Sequence, residues 1–240
     1  MPIWPAHLGR VILETVDSTN LEAARRLNTG DQWILTHAQP AGTGRRGKVW
    51  EMPAGNFAAS LLMHSSDDMQ ALAQRSFVAA LALYDTLQAF GAVDIALKWP
   101  NDVLVNGGKI AGILLASAPG AIIIGIGVNL AKAPDIAKLA PDAMKPVALS
   151  KLVGAHINAT DFLDVLAVNF DIYEQQMRSF GFEPIRLAWL EKAARLDKVI
   201  HARLPDRIET GIFKTIDQTG SLVLMTAKGR ITLPAAEVFF

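Results

Sequence analysis

The hydrophobic positions change period several times along the chain, and each change marks an expected element. Val11 to Thr15 is a short β-prone run. Asp17-Ser18-Thr19-Asn20 then supplies side chains that favour helix N-termini, and Thr19 with Glu22 has capping-box spacing. Leu21, Ala24 and Leu27 fall on one face of the helix so begun, with Gly30 placed as its stop. Trp33 to His37 and Asn56 to Met63 have the pattern of strands. From Ser66 to Phe90 the apolar positions take helical steps through Leu72, Ser76, Ala79, Leu83 and Leu87, and Gly91 follows as a stop. A strand ends at Leu97. Trp99 must then be extended because Pro100 follows, and Asn106-Gly107 is a hairpin turn. Two apolar blocks, Ile110–Ala116 and Ala121–Leu130, flank an Ala-Pro-Gly turn and predict a buried two-strand hairpin.

Beyond residue 130 the pattern loosens. Ala131 to Lys151 is a Pro/Ala/Lys-rich connection, followed by a helix over Asp161 to Gly181 with Phe162, Leu166, Phe170 and Tyr173 on one face. A second helical stretch carries Trp189 and Leu190 and ends near Arg195. From Lys198 the chain switches to short alternating runs, Val199–Leu204, Glu209–Ile216, Ser221–Met225 and Arg230–Leu233, joined by polar turns. The expected architecture is α+β: a mixed sheet flanked by helices over residues 1–195, then a small β-barrel over 196–240.

Composition narrows the function classes. A chain of 240 residues that is 51% hydrophobic can bury a sizeable core. Its 23 Lys+Arg balance 23 Asp+Glu, so no global field favours DNA or an anionic membrane, and any anion site must be local. With no cysteine, disulfides, thiolate metal sites and thiol nucleophiles are excluded, which fits a cytoplasmic setting. Met1 to Glu14 lacks the continuous apolar run of a signal peptide. Ile110 to Ala131 is uncharged and long enough for a membrane span, but its glycines, Pro119 and Asn129 argue for strands instead.

The candidate chemistry centres on residues 38–50, AQPAGTGRRGKVW. Between Gly42 and Trp50 stand three glycines, three cations and an aromatic. Glycine lets backbone N–H groups approach an anion, and clustered Arg and Lys donate charge-assisted hydrogen bonds to phosphate. By itself such a stretch reads first as a solvated basic surface turn. Its position between two strands favours a binding loop. Lys98, Asn101, Asp102 and Lys109 lie around the fold-back at Asn106-Gly107, and Gly125-Ile126-Gly127-Val128-Asn129 invites close approach of a ligand. For Ser18–Asn20 helix capping and ligand contact both remain open, as do turn chemistry and function for Asp102.

In order along the chain, ETVDSTN (14–20), AGTGRRGKVW (41–50), KWPND (98–102), GKIAGIL (108–114) and GIGVN (125–129) resemble the biotin protein ligases, whose catalytic domain has a class II synthetase-like mixed sheet and whose C-terminal domain is an SH3-like barrel. The resemblance implies ATP-dependent activation of biotin as biotinyl-5′-AMP and its transfer to a lysine of a biotin carboxyl carrier protein or domain of an acyl-CoA carboxylase, with MgATP as co-substrate. By matching position it gives Ser18, Thr19, Asn20 and Gln39 to the ureido head of biotin. Thr43, Gly44 and Arg45 fall in a loop closing over the ligand, Arg45 and Arg46 on phosphate, and Trp50 against adenine. Lys109 falls on the biotin carboxylate and α-phosphate, so Lys109 and Arg45 are the implied catalytic residues. Gly112, Gly125 and Gly127 allow close approach; Lys98, Asn101 and Asn129 fall near the nucleotide, and Asp102 in the region of Mg2+.

Three departures accompany the resemblance. Thr43 stands where many members carry a further Arg, and Ala116 where an acidic residue often follows the GIL strand. About ten residues precede the first strand, so no N-terminal DNA-binding domain is expected, and with it no repressor function. A free sheet edge would allow a homodimer. The alternatives are a lipoate–protein ligase, disfavoured by KWPND and GRRG together, and a non-catalytic biotin or nucleotide module, disfavoured by retention of Arg45 and Lys109.

Overall fold

The computed structural model describes residues 3–138 and 144–240. A seven-stranded mixed sheet forms the larger layer, in the order β1-β2-β3-β7-β6-β5-β4. Its strands are β1 (Gly9–Thr15), β2 (Gln32–Ala38), β3 (Phe57–His64), β4 (Ile95–Lys98), β5 (Asp102–Val105), β6 (Gly108–Ala118) and β7 (Ala121–Val128). Only β1 and β2 run parallel; every other neighbour is antiparallel. The uncharged stretch from Ile110 therefore becomes the central hairpin β6–β7, with β7 almost wholly buried and β6 buried in its first half and partly exposed toward Ala118. Among the described residues no helix is long and apolar enough to cross a membrane.

Alternation along the central strands divides the sheet into two faces. Ala59, Leu61, Ile124 and Ile126 point to the main core beneath α2 (Met69–Ala89) and α4 (Ala159–Phe180). Leu62 and Ile123 point the other way, toward Ala23 of the short helix α1 (Thr19–Arg25). Helix α2 begins three residues later than its periodicity suggested, because the Asp68 carboxylate caps it at the Ala71 N–H. Its buried Arg75 is held by Glu174 of α4 at 3.1 and 3.3 Å and by Asp67 at 2.7 Å, while Glu174 also accepts from Arg178, so the buried pair sits in a four-residue network.

Three local expectations are corrected. On α1, Leu21 and Ala24 are exposed, and the packed positions are Thr19 and Ala23, because α1 lies on β3 and β7 through its polar N-terminal turn. The connection after residue 130 contains a further helix, α3 (Leu149–Val153); its residues 139–143 lie outside the described residues. The C-terminal sheet has five strands, not four, in the order β11-β10-β9-β8-β12. These are β8 (Val199–Arg203), β9 (Ile208–Ile216), β10 (Leu222–Thr226), β11 (Gly229–Leu233) and β12 (Glu237–Phe239). A three-residue strand is too short to show a period in the sequence.

The two sheets are tied together through α5 (Phe182–Glu191) and the end of β4. Phe77 of α2 packs edge-on against Phe182 and Trp189, with ring centroids 5.2 and 5.4 Å apart. The Trp99 indole N–H donates to the Gly220 carbonyl at 3.0 Å, and Gln74 donates to the Gln218 carbonyl at 3.0 Å. These contacts fix the small sheet beside the open face of the large one, with β12 at the rim.

Candidate active site

The site lies on the α1 side of the sheet, where the strands present glycine and small polar residues instead of aliphatics. Gly127 of β7 pairs with Gly112 of β6, which pairs with Asp102 of β5, which pairs with Lys98 of β4. One row across the sheet thus runs from two glycines to a carboxylate and an ammonium. Lys109 should face away from this row, since it is an odd number of residues from Gly112. A register shift corrects that: Asp102 and Leu104 oppose Gly112 and Lys109, so β6 spends one extra residue over the same span. This bulge turns Lys109 onto the face of Asp102, 2.6 Å from its Oδ1.

Asp102 is consequently held between two cations, with Lys98 Nζ at 3.4 Å on its other oxygen. The carboxylate is buried, which alone would raise its pKa, but Lys109 and Lys98 outweigh burial and hold it below the ordinary carboxylate range. Burial pulls the Lys98 ammonium below the usual lysine value, partly offset by Asp102. Neighbouring Asn101 donates from Nδ2 to the Ile113 carbonyl at 2.7 Å and accepts from Arg45 Nη1 at 3.3 Å. Arg45 is drawn below its ordinary value first by burial and then by the adjacent Arg46.

The floor glycines are required by close contacts. A Cβ on Gly125 would lie 2.2 Å from Asn20 Oδ1, and one on Gly127 would lie 2.3 Å from Cε2 of Trp50. Asn20 and the Trp50 indole therefore rest directly on the sheet backbone, and the Lys109 ammonium stands 5.8 Å from the centroid of the indole. The loop carrying Trp50 closes on itself through an isolated bridge between Thr43 and Val49 and a single 3-10 turn at Arg45–Gly47.

At the start of α1 the open question is resolved against simple capping. Ser18 holds the N-cap position, but its side chain makes no capping hydrogen bond. Gln39 Oε1 accepts from the Thr19 backbone N–H at 3.1 Å, and Ser60 Oγ lies 2.8 Å from Thr19 Oγ1 and 2.6 Å from Asn20 Oδ1. Among the described residues, two of the buried polar atoms that lack a hydrogen-bond partner belong to residues lining this cavity: Nδ2 of Asn20 and Oδ1 of Asn129. Such atoms cost about 1–3 kcal/mol unless something binds them. One is a donor and the other an acceptor, each placed in the cavity wall.

All the residues singled out from the sequence converge on this cavity of about 590 Å³: Ser18, Thr19, Asn20, Gln39, Thr43, Gly44, Arg45, Arg46, Trp50, Lys98, Asn101, Asp102, Lys109, Gly112, Gly125, Gly127 and Asn129. Arg46, at the rim, directs its guanidinium to Glu237 at 3.4 Å. Ser60 and Glu237 were missed. Ser60 had a sequence signal, a lone hydroxyl in the otherwise apolar Phe57-Ala58-Ala59-Ser60-Leu61-Leu62 run; Glu237 had none, since its role depends on how the two sheets meet.

Residues 8–130 match the model of the biotin/lipoate A/B protein ligase family, and residues 196–240 that of the biotin protein ligase C-terminal domain. A biotin–[acetyl-CoA-carboxylase] ligase of Paracoccus denitrificans is 50% identical over 238 residues, covering 95% of this chain and 99% of that protein. The chain belongs to the biotin protein ligase family. A more distant member, the bifunctional ligase/repressor of Escherichia coli, is 28% identical over 89% of this chain and 68% of its own. The fold matches a biotin protein ligase from Aquifex aeolicus, solved in complex with biotin and ATP, with a TM-score of 0.83 at 21% identity over 96% of this chain and 97% of that one. Ala116 pairs with Ile123 and packs, partly buried, against the small apolar cluster under α1, which suits a small apolar side chain.

Proposed function

We propose that the chain is a biotin–protein ligase that activates biotin with ATP and transfers it to a lysine of a biotin carboxyl carrier domain. The observation that carries this reading is the Lys98–Asp102–Lys109 cluster beside a glycine floor, in a cavity also lined by two amide side chains that each keep one buried atom without a partner. In the first step a carboxylate oxygen of biotin attacks the α-phosphorus of ATP, the bond to the β-phosphate oxygen breaks and pyrophosphate leaves. No enzyme nucleophile is needed. The demands are to hold two anions together and to stabilise charge gathering on phosphorus, which preorganised cations do in a site shielded from water. Lys109, aimed by Asp102, supplies that charge, and Arg45, braced on Asn101, supplies the second.

The polar pocket of Ser18, Thr19, Asn20 and Gln39 suits the ureido head, which offers two N–H donors and one carbonyl. The free Nδ2 of Asn20 meets that carbonyl. The free Oδ1 of Asn129, two residues beyond Gly127, meets an amino group of the nucleotide, and Trp50 offers an aromatic face to its base. Magnesium enters as part of MgATP. Both Asp102 oxygens are taken by lysines, and among the described residues no group of three or more His, Cys, Asp or Glu side chains occurs that could hold a metal ion, so these side chains do not suit a resident ion. In the second step the neutral carrier lysine attacks the acyl carbon, AMP leaves, and the amine sheds its extra proton. We assign catalysis to residues 1–195 and the barrel to 196–240, in a cytoplasmic enzyme whose carrier is that of acetyl-CoA carboxylase.

The substrate is tested by offering biotin or lipoate with labelled MgATP and no carrier. Biotin-dependent pyrophosphate release with a bound biotinyl-adenylate is expected; equal turnover with lipoate would refute the specificity assigned here.

A further inference from the structure

The three loop cations divide between two directions. Arg45 turns inward to Asn101, whereas Arg46 and Lys48 turn to one carboxylate of the small sheet, Glu237 at the start of β12. Lys48 Nζ lies 2.7 Å from Glu237 Oε1, Arg46 Nη1 lies 3.4 Å from Oε2, and Arg203 of β8 stands 3.9 Å away on the same oxygen. Arg46 is also held at φ +57°, a left-handed conformation uncommon outside glycine and flanked here by Gly47 at +72°. A loop of three glycines does not hold such a geometry on its own. The Glu237 pairs bridge 189 and 191 residues of sequence, joining the loop to a separate sheet.

We infer that Glu237 is a positioning residue: the C-terminal sheet latches the Gly/Arg loop closed through Lys48 and Arg46, leaving Arg45 as the loop cation that works inside the cavity. This rests on the loop being the cover over bound biotinyl-adenylate. Its consequence is that retention of the activated intermediate depends on a residue outside the catalytic sheet.

The test is Glu237→Gln in the full chain, with Glu209→Gln, which removes a barrel carboxylate paired only locally with Arg207, as the control. Trypsin cuts after Arg45, Arg46 and Lys48, so loop order is read directly in ligand-free protein. Exposed pairs of this kind contribute up to about 1 kcal/mol, so Glu237→Gln should speed loop cleavage and adenylate release about fivefold each, with Glu209→Gln at the wild-type rate. In a Lys48→Met background the effect of Glu237→Gln on release should shrink, since the two residues act through one contact. Unchanged loop cleavage in Glu237→Gln, or cleavage spread along the whole chain, would overturn the latch. Faster loop cleavage with unchanged adenylate release would keep the latch and refute the cover.

Discussion

Lys109→Ala is expected to lower biotin-dependent pyrophosphate release by about three orders of magnitude while leaving the fold intact. The side chain is partly exposed to the cavity and lies outside the main core, so its loss creates no packing defect, and the buried Asp102 carboxylate keeps Lys98 as its partner. What disappears is the ammonium that the β6 bulge and Asp102 aim at the junction of the two anions. Removing a single preorganised donor from a developing charge costs about 100- to 1,000-fold in other enzymes, and a full positive charge lies at the upper end. The readout is pyrophosphate release under single-turnover conditions, with circular dichroism to confirm folding. Near-normal release would remove Lys109 from the mechanism.

The second large effect is that of Asp102→Asn. The substitution keeps shape and removes the charge between Lys98 and Lys109. Lys98 is almost fully buried, and a buried charge stripped of its partner costs about 3–5 kcal/mol, reduced here because burial already lowers its pKa and lets it shed the proton. Both melting temperature and adenylate formation should fall, the latter by about 100-fold as Lys109 loses its aim. The pH dependence gives an independent check. The Asp102 pKa is depressed by the two lysines against the effect of burial, so its stabilisation is complete above the ordinary carboxylate value and is lost only as pH falls through the lowered one. Wild-type protein should therefore lose this contribution as pH falls below the ordinary carboxylate range, and Asp102→Asn should lack that acid limb. A variant with unchanged melting and activity would show that the carboxylate is not the strut between the lysines.

Much of this arrangement was legible in the chain, because each legible part is local. The hairpin turn at Asn106-Gly107 and the β6–β7 hairpin follow from turn chemistry and from apolar runs of the right length. Helices α2 and α4 follow from periodicity, and the Gly/Arg loop from its composition. What the chain concealed is relational. Strict alternation puts Lys109 on the wrong face, and only the register shift against β5 brings it to Asp102. Ser18 and Thr19 have the chemistry of caps; whether they cap or bind is decided by Gln39 and Ser60 on neighbouring strands. Leu21 and Ala24 mark the wrong face of α1 because that helix packs through the small residues Thr19 and Ala23. Glu237 could not be found at all without knowing that the second sheet meets the loop.

The central claim is that one cavity activates biotin and delivers it to a carrier lysine. Intact-mass measurement of a biotin carboxyl carrier domain, incubated with catalytic amounts of the protein, biotin and MgATP, tests it most directly. The account predicts a gain of one biotinyl group per carrier, dependent on ATP and lost when the carrier's target lysine is replaced by arginine. A carrier that stays unmodified while the protein holds biotin and releases no pyrophosphate would contradict it.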